Sequence, residues 1–202
     1  MYPVMLHLCS KPIVVIGGGA VAERKVVGLL DGGATAITLV SPEITDTLRE
    51  LVREGIVVWQ QKQYEKNDLE GAFLIIAATD CASVNTEVLQ GKAPNQLVNI
   101  ADNPGQSDFQ VPAVYRNGDL SIAISTGGAS PMLAKKIKRD IAHLFDEEYN
   151  EFIKFLSMAR QRILAEISDP GKKRVLLREV MSDRFLSSGS RAELFEELLR
   201  RR

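Results

Sequence analysis

The amino-acid sequence predicts an α/β protein with a parallel sheet, and three observations predict it. Short β-branched runs alternate with helical spacings, a glycine-rich turn joins the first strand to the first helix, and this rhythm breaks near Phe109. A composition of 45% hydrophobic and 25% charged residues belongs to a folded chain and excludes disorder throughout.

Lys11 to Gly17 is a β-branched run ending in glycine, which suits a strand buried on both faces. A weaker extended stretch, Pro3 to Leu8, precedes it. Val21, Val26, Val27, Leu29 and Leu30 then recur at helical spacing until Gly32-Gly33 ends the pattern. Ala36 to Val40 reads as a strand, Glu43 to Glu54 as an amphipathic helix, and Ile56 to Trp59 as a third strand. Leu74 to Ala78 is a fourth strand, Cys81 to Gln90 a helix and Leu97 to Ile100 a fifth strand. Such alternation implies right-handed crossovers with helices on both faces of the sheet. Beyond Phe109, Gln110 to Tyr115 and Leu120 to Ser125 read as a hairpin turning at Arg116-Asn-Gly-Asp119. Ser130-Pro131 opens a helix to about Leu144. From Asp146 the pattern stays helical, with Pro170-Gly171 as an interruption and Ser190 with Glu193 as a capping box. These changes divide the chain into 1–108, 109–145 and 146–202.

Lys and Arg total 25 against 26 Asp and Glu, so the net charge is -1 and nothing favours a nucleic-acid partner. Two cysteines and two histidines are too few for a Cys/His zinc site or a disulfide scaffold, so no metal ligands are expected. No apolar run approaches the ~20 residues of a membrane span, and the amino terminus lacks a basic flank. The expectation is a cytoplasmic chain without a membrane partner.

Gly17-Gly18-Gly19-Ala20-Val21-Ala22 fits G-x-G-x-x-A between a strand and a helix. Gly17 allows the tight turn, Gly19 lets backbone N–H groups approach a pyrophosphate, and Ala22 lets the helix lie close to the sheet. The helix dipole adds partial positive charge toward that anion. The sheet is therefore expected to be Rossmann-like, with a nicotinamide dinucleotide as ligand. At the end of the second strand, Ser41-Pro42 stands where an acidic residue commonly grips the ribose, so NAD and NADP stay open as alternatives. Glu43 either reaches the ribose or is a first-turn helix carboxylate. Thr79 and Asp80, at the carboxyl edge, are candidate cofactor neighbours, with Asp80 as a helix N-cap the alternative.

Three motifs occur in order: Gly17-Gly-Gly-Ala-Val-Ala-Glu-Arg-Lys25, Asn99-Ile-Ala-Asp102 and Ser125-Thr-Gly-Gly-Ala-Ser-Pro131. Together they resemble the precorrin-2 dehydrogenases, a family that includes the amino-terminal part of siroheme synthase. The resemblance runs from Tyr2 to about Leu144 and is weaker over the helical tail. It implies a dinucleotide-binding domain, a dimerisation hairpin and helix at 109–145, a helical carboxyl-terminal domain, and a homodimer. It also implies NAD-dependent oxidation of precorrin-2 to sirohydrochlorin, on the way to siroheme and in some organisms cobalamin. Some relatives insert ferrous iron as well, and the resemblance leaves that activity open. A chain ending at Arg202 with no methyltransferase domain is expected to be a single-purpose form.

That chemistry removes a hydride and a proton, so a base must stand near the cofactor. Asp102 matches the aspartate to which the family's catalysis is attributed. The turn chemistry of Asn103-Pro104-Gly105 alone favours a capping role instead. Asn99 is expected to support the loop. Ser125, Thr126, Gly127 and Gly128 offer hydroxyls and N–H groups to the substrate's carboxylates. Lys135, Lys138 and Arg139 share one helix face, with Lys136 adjacent, and Lys135 is the candidate substrate contact; a solvated face is the alternative. His143 reads as a core or dipole-complementing residue, Trp59 as packing, and Cys81 as a small buried residue, with a thiol acidified by the helix dipole the alternative. A dinucleotide-binding sensor without turnover is the competing class, and the fold alone does not separate the two.

Overall fold

The computed structural model describes residues 1–200. Five four-residue strands, Ile13–Ile16 (β1), Ile37–Val40 (β2), Val57–Gln60 (β3), Leu74–Ala77 (β4) and Leu97–Ile100 (β5), pair in parallel in the order β3-β2-β1-β4-β5. The crossovers carry the helices Ala20–Asp31 (α1), Asp46–Arg53 (α2) and Ala82–Gly91 (α3). Successive strand residues face opposite sides, and both sides are covered. Ile13, Val15, Leu74 and Ile76 pack with Ala22, Val26 and Leu29 of α1 and Leu48 of α2. Val14, Ile16, Ile75 and Ala77 pack with Val88 of α3 and with Val98 and Ile100. Each buried Val, Leu or Ile among them contributes about 1.5–3 kcal/mol relative to exposure, which holds strands this short in register.

The chain forms two compact units, Met1–Val111 and Pro112–Arg202. In the second, Ala113–Asn117 (β6) and Leu120–Ile124 (β7) form an antiparallel hairpin, followed by helices Pro131–Ala142 (α4), Glu147–Glu166 (α5), Pro170–Glu179 (α6), Asp183–Leu186 (α7) and Arg191–Arg200 (α8). Tyr115 Oη donates to the Phe145 carbonyl, and Asn117 Nδ2 donates to the Phe145 (3.0 Å) and Asp146 (2.7 Å) carbonyls, tying the hairpin to the α4–α5 connection. The helical core is aromatic: Phe155 stacks on Phe185 at 5.5 Å and meets Phe195 edge-on at 5.9 Å.

Several boundaries differ from the sequence expectation. Pro3 to Leu8 joins no strand, and in it only Leu8 packs against the core. α2 begins at Asp46 rather than Glu43, because Thr45 is its N-cap and accepts from the Leu48 N–H at 3.4 Å. The hairpin turns one residue later than Asn-Gly: Asn117 pairs with Leu120, leaving Gly118 at φ +54° and Asp119 as the turn. Pro170-Gly171 opens α6 instead of interrupting a helix. Asp169 caps it by accepting from the Lys172 N–H at 2.7 Å, and proline needs no partner at the first helical position.

Candidate active site

The strand order reverses between β1 and β4, and open α/β sheets bind ligands beyond the carboxyl ends of their strands at such a reversal. Gly17 has φ +116°, and a Cβ there would stand 2.3 Å from the Ala78 carbonyl oxygen. A Cβ on Gly18 would stand 2.0 Å from the Glu43 carbonyl oxygen, whereas one on Gly19 meets no protein atom within 4 Å. The protein's own packing therefore demands glycine at 17 and 18 but not at 19. Gly19 is the N-cap of α1 and offers no side chain to the helix's first N–H groups, those of Ala20, Val21 and Ala22. Bare amides beside a position where a Cβ would enter open space fit a pyrophosphate.

At the end of β2, the buried Ser41 hydroxyl donates to the Glu43 carbonyl at 2.7 Å, and Trp59 Nε1 donates to the Ser41 carbonyl at 2.9 Å. Arg49 lies over the Trp59 ring, 5.8 Å from its centroid. Trp59 thus braces the turn, in line with its reading as a packing residue. Glu43 is not a first-turn carboxylate, since Asp46 holds that place.

Beyond β4 the structure brings together residues the sequence left separate. Thr79 Oγ1 lies 2.8 Å from Asn85 Oδ1, and Asn85 Nδ2 donates to both Asp102 carboxylate oxygens at 3.2 Å. One amide on α3 thus links the ends of β4 and β5. Asp102 is exposed and is held by Asn85; the turn after it has Asn103 as its N-cap, without a side-chain cap bond. Asp80 is not the N-cap of α3 either: that position is Cys81, whose N–H donates to Thr79 Oγ1 at 3.2 Å. Cys81 is exposed rather than buried, and the Ser83 hydroxyl and the Val84 N–H hold its thiol below the usual range.

The loop carrying Asp102 is anchored on its far side. The Ile100 N–H donates to Ser107 Oγ at 2.9 Å, and the Val98 N–H to Asp108 Oδ2 at 2.8 Å. Asn99 Nδ2 donates to the Phe109 carbonyl at 3.0 Å, the support expected of it. Asn99 Oδ1 accepts from Lys25 Nζ at 2.9 Å, and burial, with the charge of Arg24, lowers the Lys25 pKa. Two cavities of about 550 and 580 Å³ line loops at the other end of the strands, around Gly71 and Asn95 and around Pro12 and Gly55. Strand-end chemistry, not cavity size, marks the site.

Comparison with known proteins agrees with this geometry. A family model for NAD(P)-binding domains matches residues 4–113, and one described as the central part of sirohaem biosynthesis proteins matches residues 117–144. A precorrin-2 dehydrogenase of Priestia megaterium is 37% identical over 199 residues, 98% of each chain. One of Bacillus subtilis is 33% identical, covering 80% of this chain and 99% of its own. The solved structure of SirC, a precorrin-2 dehydrogenase, superposes over both whole chains with a TM-score of 0.86 at 35% identity. The chain belongs to the precorrin-2 dehydrogenase family. Siroheme synthase 3 of Aeromonas hydrophila is 34% identical over 85% of this chain, which spans only 37% of that longer protein.

Membership in the precorrin-2 dehydrogenases makes this chain an oxidoreductase with a nicotinamide cofactor. In its second unit, Ser125 to Gly128 form an open turn before α4. Gly127 and Gly128 have φ +64° and +87°, Thr126 Oγ1 accepts from the Ser130 N–H at 3.1 Å, and Ser125 Oγ accepts from the Gly127 N–H at 3.2 Å. Ser130 caps α4 through the Leu133 N–H at 3.1 Å. Lys135, Lys136, Lys138 and Arg139 are all exposed. His143 is exposed at the C-cap of α4, which overturns its core reading and leaves it where a cation complements the helix dipole. Sequence reasoning missed Asn85 and the demand for glycine at 18. Their signals were an asparagine three residues before Val88 on the inward stripe of α3, and a third glycine where the fingerprint needs two.

Proposed function

We propose that the protein oxidises precorrin-2 to sirohydrochlorin with NAD. The observation that carries this reading is the placement of Asp102, held after β5 on the same carboxyl edge as the glycine turn after β1. Gly17, Gly18 and Gly19 and the first N–H groups of α1, at Ala20, Val21 and Ala22, would hold the pyrophosphate, Ser41 and Pro42 would receive the ribose, and Thr79 and Asp80 would border the cofactor from the end of β4. The preference for NAD is supported by Glu43 in the turn from Ser41 to Thr45, where the neighbouring guanidinium, Arg49, is engaged by the Ile44 carbonyl and the Trp59 ring. A nicotinamide bound there would supply the hydride acceptor. Asp102 takes the accompanying proton, and its exposure leaves the carboxylate open to the macrocycle.

The chain is proposed to divide at about 108 and 145, with 109–145 pairing two copies into a homodimer. Met132, Leu133 and Leu144, exposed on or just after α4, supply apolar surface for that contact. Ser125, Thr126, Gly127, Gly128 and Lys135 are proposed to receive the substrate's carboxylates. No helix among the described residues is long and apolar enough to cross a membrane, and the proposed location is the cytoplasm. Anaerobic incubation with precorrin-2 and NAD is expected to yield sirohydrochlorin absorbance together with NADH. Purified protein that binds NAD but gives no turnover would make it the non-catalytic sensor instead.

A further inference from the structure

Asn85 turns an amide inward from α3, where it is 3% exposed among the apolar residues that cover the sheet. A buried primary amide left without partners is destabilising, so its presence on this face calls for partners. They are all there. Oδ1 accepts from the Thr79 N–H at 3.3 Å and lies 2.8 Å from the Thr79 hydroxyl. Nδ2 donates to the Thr79 carbonyl at 3.1 Å and to both oxygens of Asp102 at 3.2 Å. The Thr79 N–H can only donate, and the Thr79 carbonyl and the ionised carboxylate can only accept. Rotating the amide would therefore set donor against donor and acceptor against acceptor. One N–H is engaged by Thr79, and the other is shared across the face of the carboxylate.

The partners explain why an amide stands here. Helix–sheet packing is served by Val88, which is fully buried on the same stripe. Asn85 adds a fixed bridge between the residue leaving β4 and the carboxylate on the loop after β5. Asp102 is exposed, and an exposed carboxylate on a loop samples several rotamers unless something restrains it.

We propose that Asn85 is a positioning residue for the dehydrogenation, orienting the Asp102 carboxylate against the Thr79 end of β4 so that proton acceptor and cofactor edge keep one geometry. This rests on the reading of Asp102 as the base. A displacement of about 1 Å in a catalytic group costs on the order of 100-fold in rate, which sets the scale of the effect.

The test is a double-mutant cycle on the full chain, read as anaerobic precorrin-2 turnover, NAD affinity by calorimetry and thermal unfolding. Asn85→Ala is expected to lower kcat about 10- to 100-fold, with the KM for precorrin-2 and the Kd for NAD within about threefold of the parent. In an Asp102→Ala background the same change is expected to cost less than about twofold, because the group it orients is gone. Asn85→Asp keeps the shape but replaces the donor with a second carboxylate, and is expected to lose kcat at least as severely. It decides the question if the alanine variant fails to fold. Equal losses from Asn85→Ala with and without Asp102, or an Asn85→Asp protein with the parent kcat, overturn the proposal alone. An Asp102→Ala protein that turns over at the parent rate overturns the reading of Asp102 and the positioning role with it.

Discussion

The two turns that frame the candidate site are held by different physics. After β1 the backbone is shaped by exclusion: at Gly17 and Gly18 any Cβ collides with a carbonyl oxygen, 2.3 Å and 2.0 Å away. After β5 the backbone is shaped by attraction. Ser107, Asp108 and Asn99 fasten one side of the loop, and Asn85 holds the carboxylate. Steric exclusion is all-or-none and rigid, which suits a cradle for an invariant pyrophosphate. Hydrogen bonds can be removed one at a time, so the proposed acid–base side of the site should lose function in steps while the fold survives.

The sharpest break in that comparison is expected at Gly18→Ala. The Cβ meets backbone rather than a flexible side chain, so a loss of about 3 kcal/mol or more is expected, read as a large drop in Tm or as insoluble protein. Gly19→Asp, in the same turn, is expected to leave Tm nearly unchanged while abolishing NAD binding by calorimetry, through charge and bulk against the pyrophosphate. A matching loss of stability in both variants would remove the distinction drawn between positions 18 and 19. On the other turn, Asp102→Ala is expected to cut turnover by about 10²–10⁴-fold with NAD affinity and Tm preserved.

Steric exclusion also recurs away from the site, at Gly118. Its φ is +54°, and a Cβ would fall 1.9 Å from Asn150 Oδ1. This obstacle is a side chain, so Gly118→Ala is expected to cost less than Gly18→Ala, about 1–3 kcal/mol, read as a lower urea midpoint at unchanged m. The smallest effect is expected from pH. Burial pushes the Asp108 carboxyl up, but the Val98 N–H and Lys92, at 2.9 Å, outweigh it and hold the pKa below the ordinary value. Because the folded pKa lies below the unfolded one, the stabilisation is fully present above about pH 4 and is lost as pH falls through the folded value. Asp108→Asn is expected to flatten that part of the stability profile, with no change near neutrality in its slope against pH.

The cradle was legible in the sequence because its constraints are local. Gly17 and Gly19 sit at fixed offsets from a β-branched strand and a helical repeat, and the same fingerprint predicts their roles wherever it occurs. The acid–base side was only half legible. The Asn99 to Asp102 motif pointed to the carboxylate, but Asn85 lies 17 residues before it and meets it only because α3 packs beside β5. Cys81 and His143 depart only from their buried readings, for a related reason: local patterns of apolar neighbours do not say which side of a helix end faces the core.

By itself the sequence determined the strand–helix alternation, the parallel sheet and the glycine turn after β1, because periodicity and glycine sterics act over a few residues. Only the tertiary structure decided that Gly18 abuts Glu43, that the hairpin turns at Gly118-Asp119 and that one buried amide joins Thr79 to Asp102. The first and last depend on distances between segments far apart in the chain, which exist only once the two faces of the sheet are covered, while the hairpin turn goes with the ties of Asn117 to the Phe145 and Asp146 carbonyls.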